Sequence, residues 1–162
     1  MAIVCCVCSG MGCKTADFDF ITSRIATGAA LSNADDVQQI VAAGINVVID
    51  CCDDFDDGEL FASNPQIAYL YNPTADDGQP KPPEWFARSL SFALPLLAQP
   101  HTRVYAHCAA GINRGPSTAY VIMLALSFDP GLAEDLIRAA RPIVGLAYKV
   151  DALAAVKSLG YV

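Results

Sequence analysis

The chain has 162 residues, 54% of them hydrophobic, with 10 Lys and Arg against 17 Asp and Glu for a formal net charge of −7. A chain of this length can bury most of its apolar surface around one core, so residues 1–162 are expected to form a single domain. The acidic balance argues against wrapping a nucleic-acid backbone, and the longest apolar run, "AYVIMLALSF", falls far short of the roughly 20 residues that a membrane span requires.

"AIVCCVC" at the start reads as a buried strand that uses cysteine as a small hydrophobe. It lacks the basic n-region of a secretory signal, so a cytoplasmic protein is expected. Seven cysteines, six of them within the first 52 residues, form an odd set unlike a disulfide framework. "CCVCSGMGC" lacks paired CxxC knuckles and the two histidines, His101 and His107, are distant, so neither a metal nor a cofactor is expected.

"SNADDVQQIVAAG" has Ser32 or Asn33 as N-cap, apolar spacing at Val37, Ile40 and Val41, and Gly44 as a C-terminal stop, which predicts a helix. The β-branched run "INVVIDCC", residues 45–52, predicts a buried parallel strand that ends in an acidic cluster. Beyond the turn-rich "NPTADDGQPKPP", residues 83–98 form an amphipathic helix bent near Pro95, and "TRVYAHC" forms a strand. Residues 116–127, 131–140 and 148–159 read as three further helices separated at "DPG" and "RPIVG". Strands alternating with helices imply an α/β fold, a parallel-centred sheet flanked by helices on both faces as a three-layer sandwich. Ligands of such sheets bind beyond the carboxyl ends of the strands, where "TRVYAHC" delivers Cys108.

"HCAAGINRGPS" lies where that strand becomes a helix. The small residues Ala109, Ala110 and Gly111 let the backbone curl around an anion, so that N–H groups from Ala109 through Ile112, Asn113 and Arg114 can cradle a phosphate. Arg114, with five residues between it and Cys108, can close the ring with a forked hydrogen-bond pair. N–H groups that attract phosphate also favour a thiolate, and a thiolate facing phosphorus is a nucleophile.

"HCAAGINR" resembles the HCxxGxxR loop of the cysteine-dependent protein tyrosine and dual-specificity phosphatases, and the likeness runs from about Asp19 to Leu159, with "ITSRIATGAA" similar to the family's opening strand. The resemblance implies hydrolysis of phosphate monoesters, phosphotyrosine with some phosphoserine or phosphothreonine, through a phosphocysteine on Cys108. It also implies that His107 braces the loop through hydrogen bonds, and that a general acid lies about thirty residues before the cysteine. Asp76, 32 positions before Cys108, is the expected acid, with Asp77 as the alternative.

The family usually has Ser or Thr after the arginine, where a hydroxyl assists breakdown of phosphocysteine; here Gly115 and Pro116 follow. With "DDG" in the acid loop, this looks most like the phosphatases of regenerating liver and implies a slow second step. "SLGYV" at the end has neither a prenylation box nor a basic anchor, so no membrane anchor is expected. The same relatives imply that Cys52 could form a reversible disulfide with Cys108, although Cys51 stays open as the alternative. The loop side chains Ala109, Ala110, Ile112 and Asn113 carry no charge, which disfavours polyphosphorylated inositols and leaves a phosphorylated protein or peptide as the expected partner. An adaptor that holds phosphate without turnover and an RNA 5′-phosphatase are the alternatives; the sequence does not indicate an oligomeric state.

Overall fold

The computed structural model describes residues 16–161, so the strand expected at "AIVCCVC" lies outside the described residues. Five strands and five helices follow one another: β1 (Phe18–Phe20), β2 (Ile25–Ala29), α1 (Ala34–Ala42), β3 (Val47–Asp50), β4 (Ala68–Tyr71), α2 (Pro83–Leu97), β5 (Val104–Cys108), α3 (Arg114–Ala125), α4 (Pro130–Ala140) and α5 (Lys149–Ser158). A 3₁₀ turn, Asp57–Phe61, precedes β4.

The sheet order is β1-β2-β5-β3-β4, with β1 antiparallel to β2 and every other pair parallel. The last strand to enter, β5, lies between β2 and β3, and its five residues "VYAHC" are all buried. A strand with both edges paired and both faces covered has no solvent-facing side, which explains why no position alternates to an exposed residue. Side chains alternate across it. Val104, Ala106 and Cys108 join a core with Phe86 and Leu90 of α2, Ile122 of α3, Ile137 of α4 and Val156 of α5, whereas Tyr105 joins Val37 and Ile40 of α1 and Phe61 on the opposite face. The sheet is therefore covered by α2–α5 on one face and by α1 and the 3₁₀ turn on the other, the expected three-layer arrangement.

Local chemistry explains most element ends. Asn33 is the N-cap of α1, its side chain accepting from Asp36 N at 3.0 Å, and Gly44 leaves the helix at φ +79°. Pro83 and Pro130 occupy first turns, where a missing N–H matters least. Asp129 accepts from Leu132 N at 3.0 Å to start α4. Pro95 lies inside α2 on its exposed side.

The sequence left β1 and β4 unassigned. Both are short edge strands, and the "AYLY" of β4 is half-buried on both faces, so it lacks the period-2 contrast that marks a strand. β3 stops at Asp50, two residues before the expected end, because Asp50 turns its carboxylate back on Cys52 N at 2.8 Å.

Phe86 is fully buried, edge-on to Trp85 with ring centroids 4.7 Å apart, at the meeting point of α2 with the sheet. Phe86→Ala is expected to destabilise the fold by about 3–5 kcal/mol, read as a lowered urea midpoint with an unchanged m-value.

Candidate active site

Residues 108–114 run from the end of β5 to the start of α3, and their carbonyl groups are tied outward. Ala109 O accepts from Ala30 N at 3.3 Å, Ala110 O from Arg141 Nη2 at 3.1 Å and Gly111 O from Arg141 Nε at 2.8 Å. Ile112 O accepts from Gly145 N at 3.0 Å and Leu146 N at 3.3 Å. Trans peptide planarity then turns the N–H groups of residues 110–113 the other way, toward the inside of the turn. Among the described residues, none of the backbone N–H groups of residues 109–114 donates a hydrogen bond. Such a ring of convergent, unused donors at a helix start suits an anion.

Two glycines allow this path. Gly111 has φ +64°, and a Cβ there would come within 2.4 Å of Gly28 C. Gly28 is equally confined, since its Cβ would fall 2.1 Å from Asp17 O. Arg141, 3% exposed, locks the outer side of the loop by also donating to Asp17 Oδ2 at 2.7 Å and Asp19 Oδ2 at 2.8 Å. Those two charge-assisted contacts, with burial opposing them, raise its pKa further.

Cys108 is buried at the base of the turn within the larger core cluster. Arg114 lies at the other end. Its Nη1 donates to Asp53 Oδ1 at 2.6 Å and to Thr74 O at 3.0 Å, while its buried Nε has no hydrogen-bond partner. Burial opposes the guanidinium charge, but Cys108, Asp53 and Asp76 outweigh it and raise the Arg114 pKa. Asp53 thus aims the guanidinium and leaves its Nε side available.

The two expected acids part company. Asp76 accepts from Tyr148 Oη at 2.6 Å and from Asn113 Nδ2 at 3.3 Å, and its Oδ2 lies 3.8 Å from Arg114 Nε. Asp77 turns away, pairing with Lys81 Nζ at 2.7 Å and capping Gln79 N at 3.0 Å. Lys81 in turn lies over the Tyr148 ring at 4.6 Å. Burial, then the hydrogen bond to Asp76, push the Tyr148 phenol up to about 12, so it is a donor to Asp76 at neutral pH.

Neither ring nitrogen of His107 has a partner within strict hydrogen-bond geometry among the described residues, although interaction with the Cys108 backbone favours the charged ring. The strand alternation that points Cys108 into the larger core turns His107 to the opposite face. There its ring stacks on Tyr105, Nδ1 lies 3.8 Å from Asp50 Oδ1 and Nε2 3.4 Å from Asp57 Oδ2. Burial holds its pKa down at about 4 against the attraction of Asp50. Cys52 belongs to this group with Asp50 and His107, whereas Cys51 shares the core cluster of Cys108 and lies 3.3 Å from Thr118 Oγ1.

Gly115 has a packing cause. A Cβ there would come within 2.8 Å of His107 C and Cα and 2.9 Å of Ala106 O, so α3 approaches the β5 backbone at a distance that only glycine permits.

Three site residues carried no usable signal in the sequence. Tyr148 and Arg141 are separated from the loop by whole helices, and Asp53 was one of several acids in "DDFDDGE".

No protein-family model matches the sequence, and no curated protein matches it. Solved structures do. PTPMT1 in complex with PI(5)P superposes with a TM-score of 0.73 at 16% identity, over 88% of this chain and 96% of that one. Tk-PTP in the active form superposes at 0.67 with 17% identity, over 88% and 95%. The chain has the fold of the tyrosine and dual-specificity phosphatases. Another phosphatase-fold neighbour, human tyrosine phosphatase-like serine/threonine/tyrosine-interacting protein, gives 0.68 at 14% identity, over 90% and 96%.

Arg141→Ala is expected to free the carbonyls of Ala110 and Gly111 and let the turn relax. Binding of tungstate as a phosphate mimic, measured calorimetrically, should weaken at least tenfold, about 1.4 kcal/mol, and thermal melting should fall.

Proposed function

We propose that the chain is a cysteine-dependent phosphatase that hydrolyses phosphate monoesters through a phosphocysteine on Cys108. The observation that carries this reading is the ring of unused N–H groups between Cys108 and Arg114, with its carbonyls tied outward. A phosphoryl group in that ring presents phosphorus to Sγ. Its non-bridging oxygens accept from the N–H groups of residues 109–114 and from Arg114 Nε. As the S–P bond forms the P–O bond to the leaving group breaks, and Asp76 gives its proton to the departing oxygen. Asp76 then takes a proton from the water that attacks phosphocysteine and returns the thiolate. Tyr148 and Asn113 hold the carboxyl in place for both steps.

A phosphorylated protein or peptide side chain is the substrate this site favours. At the rim Asp53 and Asp76 stand against Arg114, and Lys81, over the Tyr148 ring, is tied to Asp77. Such a rim repels polyanions, which weighs against polyphosphorylated inositols and RNA. A disulfide to Cys108 as a redox switch is better supported for Cys51 than for Cys52, since Cys51 lies in the nucleophile's own cluster.

Gly115 favours a second reading, a phosphate-holding adaptor. With no hydroxyl at that position the second step is slow, and the tight contact with His107 and Ala106 means a serine cannot be fitted there at rest. Rapid-mix kinetics with p-nitrophenyl phosphate separate the two readings. The enzyme gives a stoichiometric burst, absent in Cys108→Ser, followed by slow release; the adaptor gives no burst at any pH while still binding tungstate.

Asp76→Asn is expected to lower kcat/KM by about 10²–10⁴-fold, whereas Asp77→Asn leaves it nearly unchanged, measured with p-nitrophenyl phosphate. Gly115→Ser should not speed release; it should cost about 1–3 kcal/mol of stability by overpacking α3 against β5, seen in thermal melts.

A further inference from the structure

Behind the anion-binding turn, on the face of the sheet away from Cys108, lies a second concentration of ionisable groups that the proposed reaction does not use. Asp50, Cys52 and His107 are all fully buried, and one ligand atom from each lies within 4.8 Å of the others. Asp57, 3% exposed, adjoins the far nitrogen of the His107 ring. Among the described residues no lysine or arginine pairs with Asp50 or Asp57. Two buried carboxylates without a cation are costly, and a fully buried imidazole with both nitrogens unpartnered adds to that cost.

We propose that Asp50 Oδ1, Cys52 Sγ and His107 Nδ1 are ligands of a thiophilic divalent metal ion of the zinc class, with Asp57 orienting the histidine. The mixed O, S, N donor set suits zinc, cobalt or a similar ion rather than calcium or magnesium. Nδ1 and Oδ1 are 3.8 Å apart, too far for a hydrogen bond but near the roughly 3.4 Å that separates two donors bound tetrahedrally at about 2.1 Å. Nε2 faces Asp57 Oδ2 at 3.4 Å, the outer carboxylate that a metal-bound histidine ordinarily keeps. Asp50 is already oriented by Cys52 N at 2.8 Å and Tyr69 Oη at 2.9 Å. The ion's two positive charges would balance one carboxylate and one thiolate, with water as the fourth ligand. Metal binding releases the thiol proton to solvent.

The proposal stands apart from the phosphatase reading, although His107 precedes Cys108 directly and the ion would anchor the strand end that carries it.

Cobalt titration of the full chain tests it. One equivalent of Co²⁺ should give a thiolate-to-cobalt charge-transfer band with tetrahedral visible bands, displaced by Zn²⁺. Cys52→Ser should abolish the charge-transfer band, and Asp57→Asn should weaken Zn²⁺ binding about 10–100-fold in competition with a chromophoric chelator. Cys108→Ser should keep the band, as should a chain with serine at Cys5, Cys6, Cys8 and Cys13. The proposal fails if no band forms, if the band survives in a folded Cys52→Ser, or if it disappears with Cys108 or with the four early cysteines. Should Cys52→Ser not fold by circular dichroism, the Asp57→Asn affinity decides, and an unchanged value overturns the proposal.

Discussion

A peptide group cannot present its oxygen and its hydrogen to the same side, and the site rests on that constraint. Four successive carbonyls, of Ala109, Ala110, Gly111 and Ile112, are drawn outward by Ala30, Arg141, Gly145 and Leu146, which leaves the N–H groups inward. Arg141 does the larger part of this from the end of α4, held in turn by Asp17 and Asp19 beside and on β1. Residues far apart in the chain thus stabilise one loop conformation that the loop's own sequence only permits.

Two neighbouring residues at the end of β5 serve two environments. Cys108 points into the larger core beneath the turn, and His107 points to the opposite face, toward Asp50 and Asp57. The alternation of a strand makes this unavoidable. The histidine beside the cysteine is part of a buried polar cluster behind the loop, and its ring stacks on Tyr105.

Gly115 connects packing to chemistry. The first turn of α3 lies so close to His107 and Ala106 that a side chain has no room. The close approach anchors the helix start whose N–H groups face the anion position, and it removes any place for a hydroxyl on that residue.

The sequence by itself determined the alternation of strands and helices, the strand that delivers Cys108, and the spacing of Cys108 and Arg114 around small residues, because each is written in local chemistry: periodicity, caps and short-range order. The resemblance made Asp76 the expected acid, with Asp77 as the alternative, by spacing alone, since adjacent carboxylates differ only in what surrounds them. Tertiary structure decided the rest. Lys81 takes Asp77, Tyr148 and Asn113 hold Asp76, Asp53 aims Arg114, and Arg141 shapes the loop, all through contacts between residues separated by up to 124 positions. The short edge strands β1 and β4 and the unpartnered state of His107 belong with these, because pairing and desolvation are set by neighbours in space, which no local pattern records.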